Sequence, residues 1–221
     1  MEILRPSYYF DTDHYLIGPL SQNCETVFEL VTHLDDFVHR QLKGKVLGKL
    51  EEGAWIEPDM VDIGEGSMVE RGAIIRGPTI IGKNTLVRSG CYIRGNTIIG
   101  DNCKVGFGTE INRSILHDNT YALHKNIIFS SIIGSNVNFG GMATIANLRN
   151  DGAMVRIPIV IDGHNEFVNT NLQYFGAIVG DGCKISSFAL MQPGTLLGPE
   201  SCIFNYCAAK GVYPPQSKIS D

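Results

Sequence analysis

Apolar residues recur along this chain with a period of six. Ile63, Val69, Ile75, Ile81, Val87, Ile93, Ile99, Val105 and Ile111 follow one another without a miss. The register then slips and resumes with Ile115, Tyr121, Ile127, Ile133, Phe139 and Ile145. A third run starts at Ile161 and Phe167, breaks at Gln173, and continues through Val179, Ile185, Met191, Leu197 and Ile203. Neither a 3.6-residue helix nor a two-residue strand repeats in this way. A hexapeptide ladder predicts a parallel β-helix, an all-β fold. The fourth residue after each apolar one is small: Ser67, Ala73, Thr79, Thr85, Cys91, Thr97, Cys103 and Thr109, then Cys183, Ala189, Thr195, Ser201 and Cys207. Glycine returns every third hexad, at Gly64, Gly82 and Gly100 and again at Gly180 and Gly198. Three hexads therefore make one triangular coil, and coils stacked at the ~4.8 Å strand spacing bury the apolar column.

Outside the ladder the pattern changes. Residues 1–50 form an N-terminal segment with one expected helix over 23–43, where Val27, Val31, Leu34, Val38 and Leu42 share a face. Asn23 is its expected N-cap, with Glu25 in the first turn and Arg40, Lys43 and Gly44 at the end. Residues 1–22 are rich in aromatic and acidic side chains and show no period; Asp11, Asp13 and His14 are read as part of a turn-rich flap rather than a metal cluster. The coil is expected over 51–212, with a loop extruded at 147–160, where Asn150-Asp151-Gly152 and Pro158 interrupt it, and a tail at 213–221. Loops leaving a rigid scaffold are common places for sites.

Composition narrows the function. The chain has 221 residues, 43% hydrophobic and 19% charged, with 25 glycines and a net charge of −5. The pI of about 5.7 argues against a general nucleic-acid surface. No run approaches ~18 apolar residues, so no membrane span is expected. The start lacks the basic and apolar regions of a secretory signal, which favours a cytoplasmic setting. Four of six cysteines (Cys91, Cys103, Cys183, Cys207) fall on small ladder positions and read as compact apolar groups.

Three stretches exceed what the ladder requires. They are Tyr92-Ile93-Arg94-Gly95 with Thr109-Glu110-Ile111-Asn112-Arg113, His124 ten residues before Gly134-Ser135-Asn136-Val137-Asn138-Phe139-Gly140, and Ala143 to Gly152. Together these resemble the C-terminal acetyltransferase domain of bifunctional glucosamine-1-phosphate acetyltransferase/N-acetylglucosamine-1-phosphate uridylyltransferases, including the sugar-1-phosphate nucleotidylyltransferase-like branch. The resemblance covers about 55–212 and implies a left-handed coil, a homotrimer and acetyl-CoA as cosubstrate, with no metal needed for acetyl transfer. No Gly-rich nucleotide loop precedes it here, so the acetyltransferase half alone is expected.

By position, the resemblance puts His124 on the catalytic base and Glu110 on a glutamate that orients or polarises it. A base of near-neutral pKa suits the task, because an ammonium cannot attack a thioester. It puts Arg94 on a phosphate clamp, Asn138 and Asn147 in the sugar and acyl-donor site, and Arg156 near a phosphate-binding lysine. The Gly141 N–H falls where the tetrahedral oxyanion is stabilised. Ser187, Asn205 and Lys210 fall beside acetyl-CoA. The chain departs from the pattern at Ile127 (for tyrosine), Asn112 (for lysine, with Arg113 adjacent) and Gly140-Gly141-Met142 (for Gly-Ala-Gly).

The resulting expectation is an N-acetyltransferase acting on an amino-sugar phosphate, most simply glucosamine-1-phosphate. Two alternatives stand beside it. A non-catalytic trimeric β-helix for ligand sensing or assembly needs only intact coils. A hexapeptide-repeat carbonic anhydrase needs three histidines on zinc across a subunit interface; here His117 and His124 are seven apart, off the hexad step, and the third ligand is unassigned. His33, His39, His117 and His164 have no partner that the sequence names.

Overall fold

In this computed structural model, which describes residues 1–14, 16–161 and 164–220, the hexad ladder winds into a parallel β-helix. Three parallel sheets of nine, eight and eight strands run along it among the described residues. The lysine face runs from Lys49–Leu50 to Lys218–Ile219 and displays Lys104 and Lys184. The arginine face runs from Trp55–Ile56 to Ala208–Ala209, with Arg76 and Arg94 just past its strands. The covered face, from Val61–Ile63 to Val212–Tyr213, is hidden beneath other parts of the same chain. The strands of the coil are so short that each contributes one or two inward side chains, which stack coil on coil into a continuous column.

From Ile63 to Ile111 that column keeps the step of six. It continues through Leu116, Ala122 and Ile128, not through the expected Ile115, Tyr121 and Ile127. One residue is missing from each of the corners before Leu116 and before Ile133. Val105 consequently pairs with Ala122, and Ala122 with Phe139, in coils of 17 residues. A one-residue slip turns every side chain to the other side of its strand. Ile115 thus points out of the coil, where the N-terminal segment buries it.

The third run also needs correcting. Ile161 and Phe167, expected as rungs, belong to an antiparallel hairpin of Arg156–Ile161 and His164–Asn169, and Phe167 is 63% exposed. The excursion is longer than the expected loop: a bridge from Leu148 to Tyr174 closes it, and the coil resumes at Ala177–Val179. Val155, Ile157 and Ile159 alternate inward and are buried with Ile178 and Leu196 of the covered face. The coil itself starts before residue 51, with Lys49–Leu50, and runs beyond 212, where Lys218–Ile219 pairs with Cys202–Ile203.

The helix is shorter than expected, Glu29–Gln41. Asn23 does not cap it. The Glu29 carboxylate folds back instead to accept the N–H groups of Glu25 and Thr26 (2.8 and 3.3 Å), and Val27 N–H is held by the Leu4 carbonyl. Leu30, Val31, Leu34, Phe37 and Val38 are buried with Ile98, Ile115 and Ile132 of the coil. Arg113 grips the helix through both Asp35 oxygens (2.9 and 3.1 Å) and the Val31 carbonyl (3.2 Å).

The glycine corner joins the covered and lysine faces. In its column of glycines one coil carries His117, 1% exposed, stacked on His14 at 5.0 Å and beside Phe10 at 5.3 Å. Burial pushes the His117 imidazole down to about 3. His14 Nε2 lies 3.1 Å from Asp118, so the flap docks at this corner. Cys91, Cys103 and Cys183 sit at buried corner positions, and burial pushes each thiol up to about 12.

Candidate functional site

The corner opposite the covered face, between the lysine and arginine faces, collects four of the expected site residues into one column. His124 ends the strand Tyr121–His124 and pairs with Phe107 of the coil below. Its carbonyl accepts Met142 N–H (2.8 Å), the Gly141 carbonyl accepts Phe188 N–H (2.9 Å), and the Ser187 carbonyl accepts Tyr206 N–H (3.4 Å). Phe107, His124, Gly141, Ser187 and Asn205 are thus equivalent positions of successive coils. Asn205 also donates to the Ser187 carbonyl (3.4 Å). Residues far apart in sequence meet here because each coil returns the chain to the same corner.

The geometry of the column suits acyl transfer. His124 is exposed, and among the described residues its imidazole makes no hydrogen bond. Gly141 lies directly above it: a Cβ added at Gly141 would sit 3.5 Å from the His124 Cβ. Among the described residues the Gly141 N–H is not used in the ladder between coils. A donor without a partner beside a base is what a developing oxyanion requires. A depression of about 270 Å³, lined by Glu70, Arg88, Ser89, Phe107, Leu123 and His124, lies beside the column.

Other expected members stand elsewhere. Glu110 occupies the arginine face between Tyr92 and Ile127. Its carboxylate accepts a hydrogen bond from Arg94 (3.0 Å) and not from His124; Arg94 also lies over the Phe129 ring at 5.8 Å. Asn138 is exposed on the lysine face between Tyr121 and Lys184. Asn147 closes the base of the excursion: its amide donates to Ser130 Oγ (3.0 Å) and its carbonyl accepts Phe175 N–H. Arg113, adjacent to Asn112, is turned to the helix and is not available to a ligand on the arginine face.

Arg156 and Lys210 come together at a second place. They line a cleft of about 440 Å³ between the hairpin and the arginine face, with Arg149, Asp151, Gln192 and Leu190. Arg149 is spent on Asp151 (2.9 Å), whose carboxyl it holds well below the usual carboxylate range. Among the described residues Arg156 and Lys210 have no carboxylate partner, although Arg156 rests on the Phe167 ring at 5.3 Å. Lys210 therefore groups with Arg156 rather than with Ser187 and Asn205. A larger cleft, about 810 Å³, lies in the N-terminal segment around Arg5, Asp13 and Glu25, away from the histidine column. His117 is buried at the glycine corner against His14 and Phe10, whereas His124 is exposed at the corner between the lysine and arginine faces.

Sequence reading missed Asn126, Arg149 and Gln192. Asn126 follows the five-residue corner step, so the sixfold count passed over it.

Comparison with known proteins bears on these residues. Residues 75–171 match the family model described as the GMPPB C-terminal domain. The bifunctional protein GlmU of Methanococcus maripaludis (strain S2/LL) is 35% identical over 163 residues, 74% of this chain and 38% of that protein. The chain resembles the acetyltransferase β-helix of GlmU-like proteins. A bifunctional sugar-1-phosphate nucleotidylyltransferase/acetyltransferase of Sulfurisphaera tokodaii is 27% identical over 100 residues, 45% of this chain and 24% of that protein. The matches thus span well under half of these relatives' length. Among solved structures, the UDP-N-acetylglucosamine acyltransferase of Francisella novicida aligns over 78% of this chain and 62% of that one, with a TM-score of 0.48 and 15% identity. The family-model match takes in Arg94, Glu110, His124, Asn138, Gly141, Asn147 and Arg156, and stops before Ser187, Asn205 and Lys210.

Proposed function

We propose that the chain is an acyl-CoA-dependent N-acetyltransferase acting on an amino-sugar phosphate, with acetyl-CoA as donor and glucosamine-1-phosphate as the first acceptor to offer. The column that sets His124 next to Gly141, whose N–H makes no hydrogen bond among the described residues, carries this reading. In the reaction His124 takes a proton from the substrate ammonium, and the freed amine attacks the thioester carbonyl. The Gly141 N–H holds the oxygen as it becomes negative. Collapse of the tetrahedral adduct breaks the carbon–sulfur bond; the imidazolium returns its proton to the departing thiolate, and the second nitrogen proton is released to solvent as the amide forms. Acetyl-CoA runs up the column past Ser187 and Asn205. Arg156 and Lys210 receive phosphate oxygens, Arg156 as a planar fork and Lys210 as a point charge. Asn138 and Asn147 border the acceptor, whose phosphate the Arg156–Lys210 cleft takes, while Arg94 stays paired with Glu110 on the arginine face.

The working form in this reading is a left-handed homotrimer with a groove between neighbours. The covered face is spent on the chain's own cap, so packing between copies falls to the other two faces. Met142, Phe188 and Tyr206 stand exposed at 44%, 47% and 72% beside the histidine column. Exposed apolar rows of this kind commonly mark contact surfaces.

Turnover and thermal stability of the wild type, measured with acetyl-CoA and several amino sugars and their phosphates, test the proposal. Acetyl transfer with saturable kinetics is expected, along with stabilisation by bound donor. A folded Ser187→Trp variant should no longer bind acetyl-CoA, because the ring fills the column above Gly141. Binding of acetyl-CoA without transfer to any amine would favour the ligand-sensing β-helix.

A further inference from the structure

Asn126 is the one carboxamide in a column of small corner residues. Its equivalents in neighbouring coils are Ala73, Cys91, Thr109, Ala143, Ala189 and Cys207, all buried. A carboxamide is costly to bury unless its polar atoms are matched. Here both ends are matched. Asn126 Oδ1 accepts the His124 backbone N–H (3.2 Å). Asn126 Nδ2 donates to the carbonyls of Gly140 (2.7 Å) and Ala143 (3.3 Å), on either side of Gly141 and Met142. Its own carbonyl accepts Glu110 N–H (2.9 Å), and its N–H is held by Thr109 Oγ1 (3.3 Å). One fully buried side chain therefore ties the backbone of His124 to the turn that presents the Gly141 N–H.

We propose that Asn126 is a positioning residue for acyl transfer, fixing His124 and the Gly141 N–H relative to each other. This rests on the function proposed above. Met142, in the turn, has a φ of 65°, a left-handed conformation that a methionine side chain does not favour. Its counterparts Lys125, Phe188 and Tyr206 share that conformation at 51°, 61° and 63°, so the turn recurs from coil to coil and what Asn126 adds is the tie from it to His124. Elsewhere in the column Ala, Cys or Thr suffices, so the coil does not need an amide here in order to close. Small misplacements of reacting groups are expensive in rate, which gives the amide a reason to be at this coil.

Asn126→Thr is the test, because threonine already fills the equivalent place in the coil below. The variant should fold, with acetyl-CoA affinity within about twofold of wild type, and kcat should fall about 10- to 100-fold, as expected for displaced reacting groups. Its effect should shrink to a few-fold or less in a His124→Ala background, since only the Gly141 N–H is left there for Asn126 to position. The His124 amide proton should also exchange faster in Asn126→Thr than in wild type. Unchanged kcat in a folded Asn126→Thr, or the same fold loss with and without His124, would overturn the inference and leave the proposed function standing. Wild-type protein that acetylates none of the amines offered would overturn both.

Discussion

The covered face and the histidine corner are built on the same coils and do opposite things with them. On the covered face, outward side chains such as Ile98, Ile115 and Ile132 are buried by the chain's own helix and hairpin. At the histidine corner the outward residues, His124, Asn205, Phe188 and Tyr206, stay exposed. One surface has become a second core and the other stays exposed. Substitutions in the first should act on stability, and substitutions in the second on chemistry.

The largest effect expected is at the open corner. His124→Ala should lower acetyl transfer by ~10²–10⁴-fold, the usual contribution of a positioned base. Its melting temperature should barely move, because the imidazole is exposed and makes no hydrogen bond among the described residues. A variant with full activity would remove His124 from the chemistry.

Leu34→Ala is the matching change on the covered side. Leu34 is fully buried between helix and coil. The cavity should cost about 2–5 kcal/mol, read as an earlier denaturant midpoint. Turnover per folded molecule should stay near wild type. A catalytic loss as large as that of His124→Ala would show that the two regions are not separable.

His117 adds a pH term to the same side. Its folded-state value is depressed to about 3 by burial, so the unfolded chain binds a proton first as pH falls. The neutral ring's contribution is whole above about pH 6.5 and is lost as pH drops towards 3, reaching roughly 4 kcal/mol there at 1.36 kcal/mol per unit. His117→Phe keeps a ring against His14 and Phe10 but cannot titrate. Its melting temperature should decline less between pH 6.5 and 4 than that of wild type. Parallel declines would place the acid sensitivity elsewhere.

The smallest effect separates the two clusters on the open side. Arg156→Ala should raise KM for phosphorylated acceptors about tenfold, in the range of a charged hydrogen bond, and leave unphosphorylated amines and acetyl-CoA nearly unchanged. Equal losses on all acceptors would detach the cleft from phosphate recognition.

How much of this was readable in the chain follows from what kind of information each feature needs. The β-helix is legible because every coil repeats the same local demand, apolar inward and small at the corner, and nine successive rungs six residues apart cannot be mistaken for another fold. The buried corner cysteines follow from the same rule. Ile161 and Phe167 were misread because an antiparallel strand with alternate apolar residues can land on a multiple of six by coincidence. Ile115, Tyr121 and Ile127 were misread because one residue fewer at a corner inverts inside and outside, yet leaves the apolar content of the segment intact.

The coil and most of its interior column are legible in the chain alone, because they depend on neighbours a fixed number of residues away; the candidate acyl-transfer residues came from the family resemblance. Only the tertiary structure decided which outward face the N-terminal segment covers, that Glu110 is engaged by Arg94, that Arg113 serves the helix, and that Asn126 links His124 to the Gly141 turn. Those outcomes depend on which of several similar surfaces a distant segment packs against, and on hydrogen bonds between coils. Periodicity says that coils stack; it does not say which polar atoms meet across the stack.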